Sequence, residues 1–418
     1  MTTVAFVGMT HLGLVSASSV AAKGFSTVCF DHNSVLIDHV RAGDLPVSEP
    51  DLEDQVRSNA GRQVFTSDWS DLHAADVVYI APDVPTDDFG QSDLSGIQQL
   101  IGQTLDSIRA DAILVVLCQV PPGFTRQIER PPETLYYQVE TLVFGRAVQR
   151  ALEPERYIVG CADPAVPLPS AFADVLGEFG CPILPMRYES AELAKISINM
   201  CLVASISVAN MMAELCEHVG ADWSEIVPSL QLDKRIGQFS YLAPGLGIAG
   251  GNLERDLATV MRLADAHGTD AGVVAAQVAN SIHRKNWVAE LIKKLELNEA
   301  TLAVWGLAYK ENTHSVKNSP SLHTLSQLPD ATFFAHDPQV VEVDAPGIHR
   351  REHAIDACVG ASALLIMTPW PEYREVRPAK ISDFLPSQGP VIDPYRVLDG
   401  DAVRAAGLSY FTLGVGDI

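Results

Sequence analysis

From Glu189 to Val219 the chain runs ESAELAKISINMCLVASISVANMMAELCEHV without one glycine or proline. That composition predicts a single helix of roughly 45 Å. Apolar residues occupy most of its faces, so it is expected to be buried on several sides, as a spine between domains or between subunits. Whatever lies on either side of it must be organised around that spine.

Both flanks alternate short apolar runs with amphipathic stretches. Before the helix, TVAFVG, STVCFD, DVVYIAP and AILVVL look like buried parallel strands. After it, strands resume with TLAVWGLAY, ATFFAHD, SALLIMT and GPVIDPY. The fold class is therefore α/β, two doubly wound halves around a long central helix. With 418 residues the chain exceeds what one hydrophobic core serves. The expected division is residues 1–187, 188–299 and 300–418. The middle part contains a glycine-rich loop, GLGIAGGNLERD, from Gly245 to Asp256. Such a loop lets backbone close around a ligand, yet Asn252 stands where a nucleophile would be sought.

Asp and Glu outnumber Lys and Arg by 52 to 29, a net charge of −23. That argues against a nucleic-acid binder and against attraction to anionic membranes, but leaves room for a local anion site at helix N-termini. The seven cysteines form no CxxC pair, so neither a disulfide framework nor a structural zinc site is expected. No metal is expected. The start, MTTVAFVGMT, enters a strand at once, and no apolar run is expected to span a bilayer. The expectation is a cytoplasmic protein with reduced thiols.

The first strand ends in GMTHLG, Gly8 to Gly13, before a helical run, and Asp31 closes the next strand about 20 residues on. Glycines permit the tight turn, helix N-terminal amides receive a pyrophosphate, and the acid bonds ribose hydroxyls, which favours NAD over NADP. Thr10 replaces the middle glycine. Its side chain must point away from the phosphate or hydrogen-bond to it.

Further motifs follow in order: DHNSVLIDHVRAGDLPVSEPDL, SDL at Ser92, PERYIVG, AELAKISINM, DKRIG, the glycine loop and GLAYKENTHSVKNSP. Together they resemble the UDP-glucose/GDP-mannose 6-dehydrogenase family across essentially the whole chain. The resemblance implies two Rossmann-like domains joined by a long dimer-forming helix, with NAD in the N-terminal domain. A nucleotide sugar would lie between the domains, held in part by the C-terminal one. It implies oxidation of the sugar's 6-hydroxymethyl group to a carboxylate by two successive hydride transfers, and a homodimer.

Residue by residue, the resemblance assigns Lys195 and Asn199, four apart on one helix face, to stabilising an alkoxide and binding water. Asp256 matches an aspartate that positions water, and Glu140 in QVETL an acid/base of the later steps. Arg235 in DKRIG matches an arginine reaching sugar or phosphate across the dimer. Lys310 in GLAYK, with Gly247 of the glycine loop, falls on the substrate side. Lys317 falls on the cofactor side with Gly8, Thr10, Gly13 and Asp31.

The departures are as specific. The family's thiol nucleophile aligns with Asn252, and an amide cannot form the thiohemiacetal and thioester that the second oxidation passes through. The neighbouring lysine is Arg255, a threonine is Gln119, a second glutamate is Phe144, and an arginine is Lys317. The segment from Thr125 to Gln138 is also shorter. One expectation is NAD-dependent oxidation that stops at the aldehyde or its hydrate. Slow oxidation of that hydrate and a redox-neutral return of the hydride are variants. The other expectation is a nucleotide-sugar-binding or partner protein without catalysis.

Overall fold

The computed structural model describes residues 2–85, 87, 92–343 and 345–416. The chain divides into two compact units, Met1–Ile198 and Asn199–Ile418. The long helix, Tyr188–Val219, runs through the boundary.

The first unit holds an eight-stranded sheet of order β3-β2-β1-β4-β5-β6-β7-β8. Its strands are β1 (Thr3–Val7), β2 (Ser26–Phe30), β3 (Gln63–Thr66), β4 (Val77–Ile80), β5 (Ile113–Val116), β6 (Leu135–Gln138), β7 (Tyr157–Cys161) and β8 (Ile183–Arg187). All neighbours are parallel except β6 and β7. Helices cover the central strands on both faces, so β4 and β5 are buried at every residue and carry continuous apolar runs. Val7 pairs with Phe30 on one side and Ile80 on the other. The three strands therefore end level, and the strand order reverses between β1 and β4. In a doubly wound sheet that is where a ligand binds.

The second unit repeats the plan with six parallel strands in the order β11-β10-β9-β12-β13-β14. They are β9 (Thr301–Trp305), β10 (Thr332–His336), β11 (Ile348–Arg350), β12 (Ala363–Ile366), β13 (Pro390–Ile392) and β14 (Ser409–Phe411). Trp305 pairs with His336 and Ile366, so the same level end recurs. Asp337 follows β10 as Asp31 follows β2. Its Oδ2 accepts the amides of Leu307 (2.7 Å) and Ala308 (2.9 Å). The fold class read from the sequence is the fold observed, two Rossmann-like domains joined by the long helix.

Within one chain, 33% of the helix's most apolar 18-residue stretch is buried, and Val208, Met211 and Leu215 are each at least half exposed. One expectation about that helix is corrected: by composition it is neither too short nor too charged to span a bilayer, because no charged residue falls between Lys195 and Glu214 and the mean hydropathy reaches 1.7. Its polar side chains nevertheless bond to protein. Asn210 Oδ1 accepts the Gly245 amide at 2.8 Å, and Asn199 donates to Asp256. These contacts suit a scaffold helix.

Candidate active site

In the first unit the turn after β1 is built on two close approaches. A Cβ on Gly8, whose φ is +102°, would lie 2.8 Å from the Pro82 nitrogen, and one on Gly13 would lie 1.8 Å from the Gly8 oxygen. Only glycine permits that path. Helix α1 (His11–Ala22) then starts with no side-chain cap and no acidic residue in its first turn. Uncapped amides and the positive end of the helix suit a pyrophosphate, so the residues present fit a dinucleotide. The Thr10 hydroxyl turns to the loop after β4, where it accepts the Asp83 amide at 2.8 Å. The Asp31 carboxylate, 7% exposed, accepts the amides of Met9 (2.8 Å) and Asn33 (2.9 Å). Its spare lone pairs stand at the strand end where ribose hydroxyls would be read.

On the same unit, Lys195 Nζ and Glu140 Oε2 form an ion pair of 3.1 Å with side chains 12% and 16% exposed. The other Glu140 oxygen accepts the Leu142 amide. The sequence nominated both residues but did not pair them. One turn earlier, Glu192 is fully buried and accepts the amides of Gly123 (2.5 Å) and Thr125 (2.8 Å), in the loop that follows Gln119. Burial raises its carboxyl above the usual range, and these amides only partly offset that. Sequence reasoning missed Glu192. The available signal was an acid placed three residues before Lys195 in an otherwise apolar helix.

In the second unit, Asp256 is 1% exposed and held from two sides. Asn199 Nδ2 donates to Oδ2 at 2.5 Å, and Arg255 Nε stands 3.3 Å from Oδ1. Asn252 is exposed and opens the helix Asn252–His267, whose N-cap Gly251 supplies no side-chain bond. The glycine loop before it is pinned rather than loose. Gly247 has φ +74°, and a Cβ there would lie 2.4 Å from the Ser281 oxygen. The Ser281 hydroxyl accepts the Ile248 amide at 2.8 Å. Lys317, assigned to the cofactor side, lies in this unit beside Gly251, its Nζ 3.9 Å from where a Cβ would stand. Lys310 Nζ lies 5.7 Å from the centre of the Tyr309 ring. The Arg235 side chain is 89% exposed and paired with Asp233 at 2.6 Å.

Two cysteines lie close in sequence to Gln119 and Asn199. Cys118, beside Gln119, is fully buried, and burial pushes its thiol up to about 12. Cys201 is exposed on the long helix, but two residues from Asn199 it points to another side.

Three models of the UDP-glucose/GDP-mannose dehydrogenase family match the chain: the NAD binding domain at residues 2–167, the central domain at 189–282 and the UDP binding domain at 303–400. A UDP-glucose 6-dehydrogenase of Rickettsia typhi is 27% identical over 98% of this chain and 99% of its own length. The UDP-glucose 6-dehydrogenase TuaD of Bacillus subtilis is 29% identical over 99% and 93%. Among solved structures, a UDP-glucose dehydrogenase from Pyrobaculum islandicum superposes with a TM-score of 0.86 at 25% identity, covering 98% and 97% of the two chains.

Proposed function

This chain belongs to the UDP-glucose/GDP-mannose dehydrogenase family, whose members are NAD-dependent nucleotide-sugar dehydrogenases, and on that premise we propose that it oxidises the 6-hydroxymethyl group of a UDP-glucose-like sugar and stops at the aldehyde or its hydrate. Oxidising an alcohol needs a proton acceptor, a group to stabilise the developing oxyanion, and a hydride acceptor. Bound NAD supplies the last. In this reading the Lys195 ammonium opposes the oxyanion and the Glu140 carboxylate beside it takes the hydroxyl proton. Asn199 and Asp256 order water. The observation that carries the proposal is the Lys195–Glu140 ion pair, mostly withheld from solvent at 3.1 Å. A charged pair so placed costs desolvation, which a surface pair avoids.

Oxidation to the acid by way of a thioester requires a thiol, and Asn252 cannot provide one. The expected result with NAD and UDP-glucose is one equivalent of NADH per sugar consumed, read by its near-ultraviolet absorbance beside product analysis. Two equivalents would overturn the truncated chemistry. A binding protein without catalysis draws on a different observation, that Asp256 is already engaged by both Asn199 and Arg255. Thermal stabilisation by UDP-glucose with no NADH formed would establish that reading instead.

The proposal includes a homodimer, placed in the cytoplasm. The support for the dimer is the row Val208, Met211, Leu215 and Val219 on the long helix, 50%, 53%, 50% and 64% exposed. Spaced three and four apart, they form one apolar stripe of the kind that subunits cover. Met211→Glu is expected to convert a dimer to a monomer in sedimentation analysis, and a native protein that sediments as a monomer would remove the idea.

A further inference from the structure

Phe144 and His11 meet in the first unit, although neither has a part in the chemistry above. Their rings stack with centroids 4.1 Å apart and planes 23° from parallel. His11 is the first residue of α1 and is 5% exposed. Its Nε2 lies 3.0 Å from Glu49 Oε2, and because a carboxylate can only accept, the imidazole donates. Glu49 also accepts the amide of Gly145 at 3.0 Å and that of Ala147 at 2.7 Å. Its side chain is 1% exposed. Burial alone would raise the carboxyl. The imidazole and the two amides outweigh it and hold the group below the usual carboxylate range, so Glu49 is an anion at neutral pH.

One buried carboxylate thus ties together the start of the dinucleotide helix and the end of the 139–147 segment. That segment carries Glu140. Its other tethers include the Lys195–Glu140 ion pair, the Val139 amide on the Ile158 oxygen (3.0 Å) and Arg150 Nε on the Thr141 oxygen (2.9 Å). The Gly145–Ala147 end has the Glu49 carboxylate as its charge-assisted anchor. Phe144 covers the outer face of the imidazole and keeps that anchor dry, where such bonds are strongest.

We infer that Glu49 and His11 are positioning residues that couple dinucleotide docking on α1 to the placement of Glu140. The inference rests on the reading that Glu140 serves the reaction and that NAD docks on the Gly8–Gly13 turn. A ligand that fixes the first turn of α1 fixes His11, hence Glu49, hence the amides of Gly145 and Ala147. Tight packing transmits such a shift rather than absorbing it.

Hydrogen-exchange mass spectrometry of the peptide spanning 139–147, with and without saturating NADH, tests this on the full chain and needs no turnover. In the native protein NADH is expected to slow exchange there by roughly tenfold, the scale of one charge-assisted bond. His11→Phe keeps the stack but has no donor for Glu49, so the slowing should disappear at NADH concentrations that saturate the variant. His11→Gln, whose side-chain amide carries a donor at about the reach of Nε2, should restore it. Glu49→Gln, as a second variant, offers one acceptor oxygen for two amides and should speed exchange at every NADH concentration. Binding of NADH without slowing in the native protein, or full slowing in His11→Phe, would overturn the coupling alone. A native protein that binds no NADH would overturn the cofactor reading and the coupling together.

Discussion

Asn252→Cys is expected to raise the yield from one to two NADH per sugar and to turn the product from aldehyde to carboxylate. Two features of the position favour a thiolate. It opens the helix Asn252–His267, has no capping side chain before it, and has the Arg255 guanidinium one turn on. A helix N-terminus and a nearby cation both lower a thiol's pKa, by about one to several units in comparable settings. A thiolate there could capture the aldehyde as a thiohemiacetal, whose carbon-bound hydrogen leaves as hydride to give a thioester. Water would then release the acid, with Asp256 and Asn199 available to order it. Product mass spectrometry and NADH stoichiometry read the outcome. An Asn252→Cys variant that reacts with a thiol reagent, binds both ligands and still yields one NADH would remove the role assigned to this position.

Lys195→Met is the second large effect. Removing one preorganised donor from an oxyanion typically costs about 10²–10³ in kcat. The same substitution leaves the Glu140 carboxylate without its cation at a largely buried site, which should cost about 1–3 kcal/mol of stability. The two losses separate in the double variant Lys195→Met with Glu140→Gln. Neutralising the acid removes the uncompensated charge, so the melting temperature should recover most of its fall, whereas turnover should stay at or below the Lys195→Met level. Recovery of turnover along with stability would reduce the pair to a structural tie. NADH affinity within a few-fold of native throughout would show that the cofactor turn is intact.

Particular elements explain how much was readable in advance. β1, β2, β4 and β5 carried unbroken apolar runs and were read as strands. β3, β8, β11 and β14 were not, because short, partly exposed stretches leave no period to detect, and the short β6 and β7 also went unread although they are largely buried. The long helix was legible in extent to one residue, since freedom from glycine and proline is a local property. What covers it was not legible. Hydropathy states which side chains avoid water, not what covers them, so the exposed stripe at Val208, Met211 and Leu215 needed coordinates.

The same division holds at the site. Spacing within a motif placed Gly8, Gly13 and Asp31 at one turn, because strand, turn and helix are contiguous and their geometry is set by neighbours in the chain. Lys195 and Glu140 come from distant parts of the chain, and Asn199 and Asp256 are 57 residues apart. Which atoms of such residues touch depends on how sheet and helix pack, and no local rule encodes that. Glu192 and the His11–Glu49–Phe144 group went unread for the same reason. The chain's own letters determined its α/β class, its cofactor turn and the absence of a thiol at Asn252. Tertiary packing alone decided which charges pair, which carboxylates are withheld from water and which apolar face is left open, since those follow from long-range contacts that desolvate one group and satisfy another.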